Sequence, residues 1–198
     1  MNHLAWLPRC KILPVLTLEQ TLHVQQLALS TGRLRPSLTV EENGTIGPNR
    51  DHCRASIASF LPETELYQIV ANAVDAQFET FNAVYDFDLH QDRTQRLPRI
   101  HVAAYNASER GEYKLHTDLG SYPELEERKL TLVILLNDPA SYKGGELSIH
   151  TGQQVNVQRN CAVGDGIAFP SFSMHAVSPV TQGQRLAVVC WLKGPRFR

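Results

Sequence analysis

The 198-residue sequence has no Cys-x-x-Cys pair, no long apolar run and almost no net charge. Each absence removes a class of protein. The four cysteines, Cys10, Cys53, Cys161 and Cys190, do not have the spacing of a zinc site or a disulfide framework. They read as free thiols in a reducing compartment, and Cys190 falls in an apolar strand pattern that suits the core. No stretch approaches the roughly 20 apolar residues that cross a bilayer, so no membrane partner is expected. Residues 1–10 lack the charged start and apolar core of a secretory leader, and a cytoplasmic location is the expectation. A formal net charge of −1 gives no general attraction to nucleic acid or to a membrane surface. Internal repeats and low-complexity segments are also missing. What is there is a chain of ordinary apolar content, 42%, long enough to bury a substantial core as one domain.

Residues 17–31 carry helix signals. Thr17 at the N-cap with Gln20 three residues later makes a capping box. Leu18, Leu22, Val24, Gln25, Leu27 and Leu29 give a partly amphipathic pattern, and Gly32 ends it. Residues 33–52 have little periodicity, with turn chemistry at 42–44 and 47–49. They form either a loop over the active site or an ordinary surface connection. Residues 54–60 alternate as a strand. Pro62 opens the strongest helical pattern, in which Leu66, Ile69, Val70, Ala73, Val74 and Phe81 make a packing face. Residues 85–89 alternate as a half-buried strand, and 90–96 are a polar connection.

From Arg99 onward the pattern changes to short strands and turns. Strands are expected over 100–105, 112–118, 129–136, 146–150, 154–158, 167–170, 176–180 and 185–192. The stretch 129–136 is almost wholly apolar, as a buried central strand is. Residues 106–111 read as a loop and 120–128 as a charged connection. Gly144-Gly145 fits a tight turn or bulge, and the Gly164-Asp165-Gly166 turn accounts fully for Asp165. Two helices followed by about eight strands define a mainly β protein with flanking helices (α+β), a double-sheet jelly roll. Residues 1–98 are then a helical support region and 99–193 the β core of a single domain, 1–198.

Chemistry concentrates at two places in that core. His116-Thr117-Asp118 is a His-x-Asp sequence, and residues two apart on a strand point to one side. His116 and Asp118 can therefore reach one metal with Thr117 turned away, and His175 is the natural third ligand from another strand. Two histidines and one carboxylate on an open face form the ligand set of non-haem Fe(II) oxygenases. In the strand 185–192, alternation places Arg185, Ala187, Val189 and Trp191 on one face. If that face is inward, Arg185 is buried and needs an anionic partner, and its planar fork suits a carboxylate. An internal ion pair or an exposed strand-end position are the other readings of Arg185. His3, His23, His52, His90, His101 and His150 lack paired ligand spacing and read as surface or structural residues.

These motifs together resemble a known family. His116-Thr117-Asp118, Leu136-Asn137-Asp138-Pro139, Tyr142-Lys143-Gly144-Gly145-Glu146-Leu147, Gly164-Asp165, Phe169-Pro170-Ser171, the run from His175 to Thr181, Gly183-x-Arg185 and Trp191 look like a 2-oxoglutarate- and Fe(II)-dependent dioxygenase. The type is that of prolyl 4-hydroxylases, and the bacterial PKHD-type hydroxylases in particular. The likeness covers about residues 99–192. It implies a double-stranded β-helix (cupin-like) with Fe(II) on His116, Asp118 and His175 and no other catalytic residue. It also implies 2-oxoglutarate as cosubstrate with its distal carboxylate on Arg185, Trp191 in the pocket wall, and ascorbate as a supporting reductant. Tyr105 and Thr131 are further candidates to face the cosubstrate, and Tyr105 is equally a core tyrosine. A Tyr that some relatives carry late in the strand 129–136 is missing here, which leaves more of the anchoring to Arg185.

The implied reaction hydroxylates a C–H bond, first of all in a prolyl residue of a peptide or protein. A free amino acid or small metabolite is the competing substrate. Base-repair relatives carry a second Arg six residues after the first, where this chain has Trp191, so no nucleic-acid substrate is expected. A cupin-like metal protein that does not use 2-oxoglutarate, and a silent jelly-roll binding module, are the readings from other classes. The sequence leaves oligomeric state open.

Overall fold

The computed structural model describes residues 10–40, 46–120, 123–150, 154–156, 158 and 161–197. The turn expected at 42–44 lies outside the described residues. The elements in chain order begin with β1 (Lys11–Pro14), α1 (Leu18–Ser30), β2 (Arg35–Pro36), β3 (Thr39–Val40), β4 (Ile46–Gly47) and β5 (Ser56–Phe60). Three helices follow, α2 (Glu65–Asp75), α3 (Phe78–Asn82) and α4 (Arg93–Arg96). Then come β6 (Ile100–Asn106), β7 (Tyr113–His116), α5 (Pro123–Glu126), β8 (Arg128–Leu135) and β9 (Leu147–His150). The chain closes with β10 (Gln154–Asn156), β11 (Asp165–Pro170), β12 (Met174–Val177) and β13 (Gln184–Lys193).

Two antiparallel sheets carry the architecture. The larger has the order β1-β11-β8-β13-β6-β5-β2 and the smaller β10-β9-β12-β7, and β3 and β4 pair separately. This is the expected jelly roll with helices on one side. Strand alternation divides the buried residues between two cores. On β13, Leu186, Val188, Cys190 and Leu192 face outward into the core shared with Val24 and Ala28 of α1 and Leu66, Val70 and Val74 of α2. Ala187 turns the other way, into the core between the sheets with Ala103, Tyr105, Val133, Leu147, Ile149 and Phe169. The eight strands from β6 onward match the expected set, with bounds shifted by a few residues at several ends.

The α1 cap forms as read. Thr17 Oγ1 accepts from the Gln20 N–H, and the Gln20 side chain accepts from Thr17 N. Gly32 follows at φ +58°, where a side chain is disfavoured. The four cysteines are free, and burial pushes the Cys190 thiol up to about 12.

Three expectations are corrected. The second helix starts at Glu65, not at Pro62, because Thr64 caps it through its side chain. The stripe that continues to Phe81 is two helices, broken at Ala76 and Gln77; Phe81 is still fully buried, so the spacing reported burial across a break. Residues 85–89 are not a strand. Asp86 sits at φ +51°, and the Asn82 amide bridges to both Phe87 N and Phe87 O, folding the alternating residues into a compact turn. The polar connection at 90–96 holds α4, capped by Asp92. Its Arg96 is buried against Asp75.

Candidate active site

β7 and β12 are neighbours in the smaller sheet, with His175 directly opposite His116. Asp118 lies just past the end of β7. Its N–H and that of Leu119 both donate to the Ser171 carbonyl, at 2.9 and 3.0 Å, which ties this turn to the end of β11. The three side chains converge: Asp118 Oδ1 is 3.8 Å from His116 Nε2, and Asp118 Oδ2 is 3.4 Å from His175 Nε2. One ligand atom from each lies within 4.8 Å of the others. Metal–ligand bonds of about 2.1 Å at right angles place neighbouring donor atoms roughly 3 Å apart, so a small contraction of this cluster suffices to bind an ion.

The surrounding groups prepare the triad for that role. His116 Nδ1 pairs with the Lys114 carbonyl at 2.7 Å and His175 Nδ1 with the Ser173 carbonyl at 2.9 Å. A carbonyl only accepts, so each Nδ1 carries a proton and each Nε2 faces the cluster. Burial, then the nearby His175, lowers His116 to about 4, which keeps the ring neutral at physiological pH. Burial alone would raise Asp118, but His175, His116, Arg128 and the Thr131 hydroxyl together hold it below the usual carboxylate range. Thr131 Oγ1 donates to Asp118 Oδ2 at 2.7 Å and lies 3.1 Å from Ser171 Oγ. Tyr113 stacks on His116, with centroids 3.6 Å apart, and Phe169 meets His175 edge-on at 4.8 Å.

These ligands open into a cavity of about 610 Å³ between the sheets. Arg185, Trp191, Tyr105 and Thr131 all line it, because β13, β6 and β8 present the same alternate positions inward. Arg185 is 1% exposed. Its Nε and Nη2 donate to the Gln158 amide oxygen at 3.3 and 3.2 Å, and its guanidinium lies 5.3 Å from the Tyr105 ring. Among the described residues no carboxylate comes within ion-pair range of it, and its burial removes the exposed strand-end position as a reading. Trp191 is stacked against the Arg128 guanidinium at 3.5 Å, and its indole nitrogen is buried without a hydrogen-bond partner.

All seven residues singled out in the sequence therefore border one site. Thr131 lines the cavity and its hydroxyl is also bonded to Asp118 Oδ2. Two histidines read as ordinary, His52 and His101, also line the cavity. His101 pairs with Ser59 Oγ at 2.9 Å and packs on Trp191. Residues 35–38 border the mouth, so part of the 33–52 segment does lie over the site. Tyr113, Arg128 and Gln158 were given no role from the sequence, and Tyr142 was read only as part of the Tyr142–Leu147 motif. Alternation alone puts Tyr113 and His116 on opposite faces; the irregular register between His175 and Val177 goes with their meeting. The other three are brought in by tertiary packing alone.

A jelly roll whose inner cavity is lined by two histidines and a carboxylate has the ligand arrangement of non-haem, facial-triad metal sites. Residues 100–193 match the model of the 2OG-Fe(II) oxygenase superfamily. The chain is similar to a PKHD-type hydroxylase of Psychrobacter sp. (strain PRwf-1), 38% identical over 49% of this chain and 40% of the relative. A PKHD-type hydroxylase of Prochlorococcus marinus (strain MIT 9313) is 39% identical over 49% and 44%. The chain thus spans less than half the length of these relatives. In fold it resembles a Pseudomonas putida prolyl-4-hydroxylase (TM-score 0.70, 18% identity, 93% of this chain and 92% of that one). It also resembles a Trichoplax adhaerens prolyl hydroxylase solved with a hypoxia inducible factor peptide (TM-score 0.70, 17% identity, 93% and 83%). The matched region, residues 100–193, holds the triad and Arg185, and over it the chain is similar to the 2OG-Fe(II) oxygenase superfamily and to PKHD-type hydroxylases. No helix among the described residues is long and apolar enough to cross a membrane.

Proposed function

We propose that this chain is a 2-oxoglutarate-dependent dioxygenase acting as a single domain. It converts 2-oxoglutarate, O2 and a substrate C–H bond to succinate, CO2 and the alcohol. One observation carries the reading: a fully buried Arg185, with no carboxylate in ion-pair range among the described residues, in the same cavity as the His116–Asp118–His175 cluster. An uncompensated buried guanidinium is costly, and a dicarboxylic keto acid answers it with one carboxylate while its keto-acid end reaches the metal ligands.

The donor set, two imidazoles and one carboxylate, fits Fe(II), which His116, Asp118 and His175 would hold. When bound, Fe(II) supplies the redox chemistry that couples keto-acid decarboxylation by O2 to C–H oxidation. The chain's own residues orient and exclude. Arg185 fixes the far end of the cosubstrate, with the Tyr105 ring beside it. Thr131 and Arg128 hold Asp118 in its ionised form, and Trp191 and His101 close the wall behind. None of these side chains is required to carry a proton. Ascorbate is the proposed reductant for iron oxidised off the productive path.

The proposed substrate is a prolyl residue in a peptide or protein. The hydroxylase relatives support this, and the cavity's lining includes the apolar Pro36, Leu38 and Leu125 beside His52. The test is succinate formation from 2-oxoglutarate with Fe(II) and ascorbate, with and without a proline-rich peptide pool, and with His175→Ala as control. Iron-dependent succinate that is stimulated by peptide and abolished in the variant is the expected result. Turnover retained by folded His175→Ala would overturn the ligand assignment.

A further inference from the structure

We infer that Gln158 is a positioning residue for cosubstrate recognition: it holds Arg185 through a neutral acceptor and so keeps the guanidinium's charge available for the distal carboxylate. This rests on the reading that 2-oxoglutarate occupies the cavity.

The argument begins with what an arginine needs. A guanidinium offers five N–H donors in a fixed plane. To aim it, a protein must engage some of those donors, and in most buried sites the partner is a carboxylate. A carboxylate here would aim Arg185 but also cancel its charge, leaving nothing for an anionic ligand to gain. Gln158 solves the first problem without creating the second. Its amide oxygen accepts from Nε and Nη2 along one edge, and the other donors remain for the ligand and for Tyr142. The amide carries no net charge.

An amide can present either its oxygen or its NH2 group, and the hydrogen-bond network decides which. Tyr142 supplies that decision. Gln158 Nε2 donates to the Tyr142 hydroxyl oxygen at 2.6 Å, which turns Oε1 toward Arg185. The Tyr142 hydroxyl also borders Arg185 directly, so the three side chains form one buried network. Gln158 and Tyr142 are themselves only 4% and 6% exposed.

Gly145 makes the room for this network. It sits at φ +65°, and a Cβ there would lie 3.0 Å from Arg185 Cδ and 3.3 Å from Tyr142 Cε2. The close approach of the backbone lets the arginine stem and the tyrosine ring share one channel. The late-strand Tyr missing from β8 therefore has a counterpart of another kind: Tyr142, reached from the following loop, acts on the arginine's holder.

The experiment measures binding, not turnover. Mn(II)-loaded protein is titrated anaerobically by calorimetry with 2-oxoglutarate and, separately, with pyruvate, which has the keto acid but no distal carboxylate. The variants are Gln158→Glu, nearly isosteric and charge-compensating, and Tyr142→Phe, which keeps the ring and frees the amide to turn. The expected result is a loss of 2-oxoglutarate affinity of at least tenfold in Gln158→Glu and a smaller loss in Tyr142→Phe, with pyruvate affinity unchanged in both. Equal 2-oxoglutarate affinity in Gln158→Glu and the parent overturns the proposal. So does an equal loss for both keto acids, which marks a merely structural role. Parent protein that binds 2-oxoglutarate no better than pyruvate overturns the cosubstrate reading itself, and that failure is visible without any variant.

Discussion

Replacing Thr131 by valine keeps a β-branched side chain of nearly the same volume in the middle of β8 and removes one hydroxyl. That hydroxyl donates to Asp118 Oδ2 at 2.7 Å, and Asp118 is 8% exposed, so water does not readily replace it. A hydrogen bond to a charged group contributes roughly 1.5–3 kcal/mol, and about 1.4 kcal/mol is a factor of ten in an equilibrium constant. The full value would correspond to about 10–100-fold in metal affinity, the range found when residues that brace a ligand are removed. Part of the bond is present in the metal-free protein too, and its loss there lets the carboxylate rotate and protonate more readily. The expected effect on Mn(II) or Fe(II) affinity is therefore near the lower end, about tenfold. The assay is anaerobic titration against a competing chelator, followed by 2-oxoglutarate binding at saturating metal. Wild-type metal affinity in a folded Thr131→Val protein would refute the bracing role. A loss confined to 2-oxoglutarate binding would instead make Thr131 a cosubstrate contact.

Two further perturbations test the surroundings. Burial, reinforced by Arg128 and Arg99, lowers His101 to about 4 from an ordinary value of 6.5. Between these values the unfolded chain binds more protons than the folded one, so stability should fall as pH drops from about 6.5 to about 4. Urea midpoints across that range should decline more steeply for the parent than for His101→Gln, and parallel curves would rule the histidine out. Gly145→Ala forces a side chain into left-handed backbone, which costs roughly 1–2 kcal/mol, and sets its Cβ against Val180, Arg185 and Tyr142. It should lower the melting temperature and weaken 2-oxoglutarate binding together; a melting temperature equal to the parent's would show that the channel has slack.

The residues legible from sequence share a property: their role follows from position along one strand. His116 with Asp118, and Arg185 with Trp191, are each set by a period of two, and the alternation of β13 correctly turned Arg185 inward with Ala187. The β core was legible for the same reason, since inner and outer faces alternate along every long strand. The same rule failed at residues 85–89, where Tyr85 and Phe87 do stack with centroids 5.6 Å apart although no strand forms. Alternation reports that two side chains share an environment, and a turn fixed by Asn82 can arrange that as well as a ladder can. The roles of Gln158 and Tyr142 were illegible: nothing near Gln158 distinguishes it, and Tyr142 stood in a quoted motif without any sign of what it touches. They matter only because Gly145 lets the loop before β9 come close to β13.

The division of labour between the sheets makes the site depend on how they pack against each other. The smaller sheet supplies the two histidines, from β7 and β12. The larger supplies Thr131, Tyr105, Arg185 and Trp191, from β8, β6 and β13. Asp118 joins the two: its side chain answers the histidines, its Oδ2 is held by β8, and its backbone is bonded to the end of β11. A relative shift of the sheets thus acts first on Asp118, changing its distance to both histidines while its hold on Thr131 stays fixed. A one-residue slip of β13 against β6 would have a larger effect, because every inward residue would exchange with an outward one. Arg185 would then enter the outer core under the helices, where no acceptor awaits it, and Leu186 would face the cavity. The register Arg185↔Tyr105 through Cys190↔Ile100 is therefore specified twice, by the outer apolar core and by the unfavourable burial of a guanidinium on the wrong face.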